Sequence, residues 1–125
     1  MSEIIQTASA PAAIGPYSQG IRVGNLVFTA GQIGIDPQTG EIVSGGITAE
    51  TERALLNVKG ILEAAGSSLE RVVKTTVFLT NLNEFAQMNR AYERLLGGNL
   101  PARSTVQVTL PKGAKVEIEA IATVD

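Results

Sequence analysis

The acid and base chemistry open to this chain comes from few residue types. Its 125 residues include no Cys, no His and no Trp. That excludes disulfides, thiolate nucleophiles, Cys/His zinc sites and every catalytic arrangement that needs an imidazole. Carboxylates, Arg, Lys, Tyr, hydroxyls and backbone amides remain. The C-terminal part gathers several of them in two alternating runs. Arg103, Thr105 and Gln107 interleave with Ser104, Val106 and Val108. Glu117, Glu119, Ile121 and Thr123 interleave with Val116, Ile118, Ala120 and Ala122. A period of two gives each run an apolar face and a mixed face. Paired as a hairpin through Pro111-Lys112-Gly113, the runs put Val106 opposite Ile118 and Val108 opposite Val116. Thr105 then falls opposite Glu119, with Arg103 one step diagonal to Glu119.

Two readings fit that mixed face. One is an exposed sheet surface with a cross-strand ion pair worth about 0.2–1 kcal/mol. The other is a site at the edge of a subunit interface. There a fixed guanidinium grips a carboxylate through two parallel hydrogen bonds, and a neighbouring Glu passes a proton through a water. Elsewhere, Gly31-x-x-Gly34 resembles a phosphate loop only superficially, because no helix start follows it at once.

The elements that must position these groups follow from periodicity and turn signals. Strands are expected at Glu3 to Thr7, Tyr17 to Val23 and Leu26 to Ala30, the last two joined by a Gly24-Asn25 hairpin turn. A loop runs from Ala8 to Pro16. A long loop covers Gly31 to Gly46, with turn chemistry at Asp36 to Gly40. A first helix runs from about Thr48, as N-cap, to about Ala65, and Gly66 stops it. Ala54, Leu55, Val58, Ile61, Leu62 and Ala65 share one face. Gly60 costs that helix about 1 kcal/mol relative to Ala unless something packs close to it. Val72 to Thr80 is rich in β-branched residues and reads as a central strand. A second helix starts near Asn81 or Asn83, carries Phe85, Met88, Tyr92, Leu95 and Leu96 on one face, and ends at Gly97-Gly98. Strands at Ser104 to Val108 and Lys115 to Val124 complete a β-ββ-α-β-α-ββ order. The expected fold is α+β, a mixed β-sheet with two helices on one face, in a single domain spanning 1–125.

The charge balance is 10 Lys and Arg against 12 Asp and Glu, a net charge of −2. The basic residues are scattered, which is not the footprint of a nucleic-acid binder. Two Tyr and three Phe make a poor stacking platform for single strands. No apolar run approaches the roughly 20 residues of a membrane span. The acidic Met-Ser-Glu start carries no long apolar stretch, so the expected location is cytoplasmic.

Four motifs, in order, closely resemble the RidA (YjgF-like) family. They are Ala10-Pro11-Ala12-Ala13-Ile14-Gly15-Pro16-Tyr17-Ser18-Gln19-Gly20, Thr29-Ala30-Gly31-Gln32-Ile33, Pro101-Ala102-Arg103-Ser104 and Val116-Glu117-Ile118-Glu119-Ala120-Ile121-Ala122. The resemblance covers nearly the whole chain, with Asp36-Pro37 to Gly40 and Lys74-Thr75-Thr76-Val77-Phe78 fitting between the motifs. It implies a chorismate-mutase-like fold and a homotrimer with three sites in clefts between subunits, which would bury the mixed face of the last strand against neighbours. It also implies a hydrolytic deaminase of 2-enamine and 2-imine acids. Such an enzyme turns 2-aminoacrylate/2-iminopropanoate and 2-aminocrotonate/2-iminobutanoate into 2-keto acids and ammonia, with no metal and no cofactor.

Carried onto this sequence, the resemblance makes Arg103 the clamp on the substrate carboxylate. Glu119 becomes the acid that orients water and shuttles a proton. Tyr17 becomes a catalytic residue that lines the cleft and donates through its hydroxyl, Gly31 a source of backbone contacts and Asn89 a pocket amide. Thr105 stands where many relatives have Cys and would touch the imine end through its backbone. Ala30 stands where many have Ser, which removes a hydroxyl. Glu117 and Gln107 are expected as interface or rim residues. Two other functions compete with the deaminase. One is a non-catalytic, small-molecule-binding or regulatory trimer on the same fold. The other is a ribonuclease or translation inhibitor, which the absence of His and of a basic patch makes a poor fit.

Overall fold

Alternation and helical periodicity become regular elements along most of the chain. The structure, a computed structural model, describes residues 1–125. Strands β1 (Ser2–Ile5), β2 (Gly20–Val23) and β3 (Leu26–Thr29) form an antiparallel meander. Gly24 takes φ +58° in the tight turn between β2 and β3, a conformation that favours glycine. A two-residue strand β4 (Gln32–Ile33) follows. Then come α1 (Gly46–Ala64), β5 (Val72–Leu79), α2 (Phe85–Leu96), β6 (Ala102–Gln107) and β7 (Val116–Thr123). One seven-stranded sheet runs β1-β2-β3-β7-β5-β6, with β4 also paired to β7. The β5–β6 pair is parallel and the other pairs are antiparallel.

Both helices cover one face of this sheet. Ala54, Leu55, Val58, Ile61 and Leu62 of α1, with Met88, Tyr92 and Leu96 of α2, are buried in one cluster with Val27, Val77, Leu79, Val116, Ile118, Ala120 and Ala122. The stripe expected on α1 is therefore its core face. Gly60 lies within that helix because a Cβ there would come 2.7 Å from the Ser9 carbonyl oxygen, so the N-terminal loop packs directly on it.

The largest departure from expectation concerns β6 and β7, which do not form a hairpin. β5 lies between them, parallel to β6 and antiparallel to β7. α2 is the crossover that brings the chain back parallel to β5. The long apolar β5 supplies hydrogen-bonding edges on both sides. This reverses the facing assigned to β6. Thr75 stands opposite both Arg103 and Ala120, and Thr76 opposite both Ser104 and Glu119. Residues directly opposite one another share a face, so Arg103, Thr105 and Gln107 lie on the helix side. Ser104 and Val106 lie on the open side with Glu117 and Glu119, and Val106 is 42% exposed rather than core. The expected neighbourhood of Thr105 and Arg103 with Glu119 is therefore absent within one chain.

Smaller differences have local causes. α1 starts at Gly46 rather than near Thr48, and Gly45 precedes it at φ +117° with no side-chain cap. Phe85 is exposed at the first turn of α2, away from the core its spacing suggested. The loop from Gly31 to Gly46 contains β4, whose two residues, Gln32 and Ile33, are too short a run to signal a strand. The helix-free face of the sheet carries exposed Ile4, Val23, Phe28 and Val106.

Candidate functional site

The helix side of β6 holds an arginine that can act as an anion receptor. The Arg103 guanidinium carbon lies 4.8 Å from the centroid of the Tyr92 ring and 5.5 Å from that of Phe85. The positive charge rests on two π-faces, an attraction that also fixes the plane of the fork. Tyr92 is itself immobilised, buried and sharing a 2.7 Å hydrogen bond between its hydroxyl and that of Thr75. Arg103 takes part in neither ion pair of the chain, which join Arg71 to Asp125 and Arg94 to Glu52. Its N–H edges are free for a bidentate carboxylate.

Asn89 belongs to this receptor. Phe85, Asn89 and Tyr92 are spaced by four and three residues on α2, which puts them on one stripe. Asn89, Tyr92, Glu93, Leu100, Pro101 and Arg103 line an open depression of about 390 Å³. The buried Asn89 side-chain oxygen has no hydrogen-bond partner in the chain. Thr105, two residues from Arg103, shares its face. β6 is an edge strand, so alternate backbone groups along it are unpaired and open to a ligand.

A second cleft, of about 350 Å³, gathers Tyr17, Gly31, Lys112 and Glu117 among Pro11, Ile14, Ile33, Ile35, Pro37 and Pro111. Tyr17 sits on the loop between β1 and β2, half exposed, with its hydroxyl 3.4 Å from the Ile14 amide nitrogen, at the long end for a hydrogen bond. Gln19 braces that loop from inside. Its side chain accepts from the Thr7 amide at 2.7 Å and donates to the carbonyls of Thr7, Ala10 and Pro11 at 3.0, 3.2 and 2.8 Å. At Gly31 the absence of a side chain leaves room for the Glu117 carboxyl. A Cβ there would stand 2.5 Å from the Glu117 Oε2.

The six expected site residues thus fall into separate places in one chain. Arg103 and Asn89 meet on the helix side, with Thr105 on the same face, and Tyr17 meets Gly31 at the second cleft. Glu119 stands exposed on the open face of β7 and lines neither depression. Its strand neighbour Glu117 does line the second cleft. Burial first, and the charge of Glu119 second, push the Glu117 carboxyl above the usual Glu range. The sequence expectation for Glu117 is an interface or rim residue, and within one chain it lines this cleft. Its position two residues from Glu119, on the same face, was the signal in the sequence. Gln19 was visible only as part of a motif, because its bracing role depends on loop geometry. No group of three Asp or Glu side chains converges to hold a metal ion.

Comparison with known proteins agrees with this architecture. The family described as endoribonuclease L-PSP matches residues 7–124. A RutC family protein of Pyrococcus abyssi is 56% identical over 121 residues, covering 96% of this chain and 95% of that one. A human 2-iminobutanoate/2-iminopropanoate deaminase is 49% identical over 120 residues, covering 95% of this chain and 88% of that one. The crystal structure of Escherichia coli TdcF with bound serine superposes with a TM-score of 0.94 at 48% identity, covering 98% and 99% of the two chains.

Proposed function

The chain belongs to the RidA (YjgF-like) family, matched by the endoribonuclease L-PSP family model, and we propose that it hydrolyses 2-enamine and 2-imine acids to 2-keto acids and ammonia. The observation that carries this reading is the unpaired Arg103 fork seated on Tyr92 and Phe85. A small carboxylate completes that fork with two charge-assisted hydrogen bonds. The serine bound by TdcF is a small amino acid of that kind.

The chemistry suits residues without Cys or His. A protonated imine is already electrophilic, so the protein has to hold the carboxylate, place a water and move protons. Arg103 fixes the carboxylate, and the free Asn89 amide oxygen accepts a hydrogen bond from an N–H of the substrate. The Thr105 backbone faces the imine end, and its side chain is not required to react. Glu119 orients the attacking water and takes its proton. Tyr17 and Gly31 line the wall of the pocket. No cofactor or metal enters this scheme.

Such a pocket needs more than one copy of the chain, because Arg103 and Glu119 point away from each other across the sheet. A homotrimer meets the need if the open faces pack together, with the Arg103 edge of one subunit against the Tyr17 and Glu119 region of the next. The exposed Ile4, Val23, Phe28 and Val106 supply apolar area for that packing. The trimer would have a mass of about 39 kDa, three times the 13.1 kDa of one chain.

The test couples the protein to a serine/threonine dehydratase and follows keto-acid formation. Wild type should accelerate it, and Arg103→Ala should lose most of the acceleration. Equal, slow rates for both would remove the reading. Cleavage of RNA is a poorer fit, since the net charge is −2 and no His is present.

A further inference from the structure

Two carboxyls stand on the open face of β7, and one of them occupies a cleft. Glu117 is half-buried, lies against Gly31 and shares its cleft with Tyr17. It joins neither ion pair of the chain. A carboxyl partly shielded from water beside Pro11, Ile14, Ile33 and Pro111 is shifted toward its neutral, proton-bearing form. The charged and titratable groups around it are few. Glu119 on the same strand opposes its ionisation, while Lys112 from the 111–113 turn and Tyr17 from the β1–β2 loop line the same cleft. Ile33 of β4 and Phe78 of β5, its partners in the sheet, carry no charge.

We propose that Glu117 donates the proton that activates the imine nitrogen, a role separate from the water-orienting role of Glu119. The proposal rests on the deaminase reading. In the first step the Glu117 O–H bond breaks and an N–H bond forms, leaving a carboxylate and an iminium. The water oxygen then bonds to the iminium carbon, and the C=N π pair moves to nitrogen. Glu119 takes the proton that the water sheds. Glu119 returns that proton to nitrogen, and the C–N bond breaks with its electron pair. Ammonia leaves, the hydroxyl closes to a carbonyl, and its proton restores Glu117. Imine and water give keto acid and ammonia, with no change of oxidation state. Two Glu residues whose Cα atoms lie about 7 Å apart along one strand divide acid and base work between them.

The experiment measures imine hydrolysis against pH for wild type, Glu117→Gln, Glu117→Asp and Arg103→Ala, with 2-ketobutyrate binding by calorimetry. Glu117→Gln should lower kcat about 100-fold at low pH. The ratio of wild-type to Glu117→Gln rates should shrink as pH rises through the titration of Glu117. Glu117→Asp should restore part of the rate, and 2-ketobutyrate should bind Glu117→Gln as it binds wild type. Full activity of Glu117→Gln, or a loss equal at every pH, overturns the proposal. So does parallel loss of 2-ketobutyrate binding, which marks a structural role. If Glu117→Gln fails to fold, absence of rescue by Glu117→Asp overturns it. In all these cases wild type is active and Arg103→Ala is not, so the deaminase reading survives. A wild type no faster than Arg103→Ala removes both.

Discussion

Arg103 and Glu119 lie on opposite faces of one sheet, on strands that flank β5. Thr75 and Thr76, adjacent on β5, stand opposite Arg103 and Glu119 respectively. Successive residues of a strand point to opposite sides, so no rotamer change brings the two groups into one pocket. A site that uses both must draw them from different subunits. Coexpression of Arg103→Ala and Glu119→Gln chains tests this. Each homogeneous variant should be nearly inactive. Random mixing should restore about a quarter of wild-type activity, because a site is intact when each half comes from the appropriate chain. No recovery in mixed oligomers of the proper mass would show that the pair does not act across an interface.

Gly31 and Glu117 form a second testable pair. A Cβ at position 31 would come 2.5 Å from the Glu117 Oε2 and 2.7 Å from its carboxyl carbon. Gly31→Ala should therefore turn the flexible Glu117 side chain out of the cleft, at a cost of about 0.5–1 kcal/mol for the displaced rotamer. Removing the obstruction with Glu117→Ala should recover much of that loss. Chemical denaturation of the two single variants and the double variant gives the coupling energy. Strict additivity would mean that the two residues do not touch.

The sequence made some of this visible and concealed the rest for physical reasons. Ala54, Leu55, Val58, Ile61 and Leu62 recur at helical spacing, and all are buried. Val116, Ile118, Ala120 and Ala122 alternate, and all face the helices. These local periods survive because a core was built on them. Which strands pair is a non-local matter, and β6 carries too little apolar pattern to declare its neighbour. The hairpin reading therefore placed Arg103 beside Glu119, when the intervening β5 puts them on opposite faces. Family motifs single out Arg103, the proposed carboxylate clamp. The aromatic seat that holds it was not legible, because Tyr92 and Phe85 read only as core positions of α2.

Glu117 also leaves a mark on stability. Its carboxyl pKa is raised in the folded protein, chiefly by burial and then by Glu119. A raised carboxyl pKa means that the folded state holds the proton to higher pH than the unfolded state does. Its contribution is fully present below the ordinary Glu pKa, and it is lost as pH rises through the raised value. The wild-type melting temperature should therefore fall relative to that of Glu117→Gln across that window. Above the window the difference should be constant. A difference that moves the other way, with wild type gaining on the variant as pH rises, would mean that Glu117 is stabilised as a carboxylate.

Gln19 should behave as the brace of the Tyr17 loop. The amide is 3% exposed and satisfies one backbone donor and three carbonyls of residues 7–11. Gln19→Met keeps the length and removes every one of these bonds. Leaving buried backbone groups without partners costs about 1–3 kcal/mol. Because Tyr17 is two residues away on the same segment, the loss should reach the cleft as well. Amide exchange at Thr7 should quicken, and KM for the imine acid should rise more than kcat falls, since a loosened wall weakens binding before it alters proton transfer. A variant with unchanged stability, unchanged exchange at Thr7 and unchanged KM would show that Pro11 and Pro16 stiffen the loop without help.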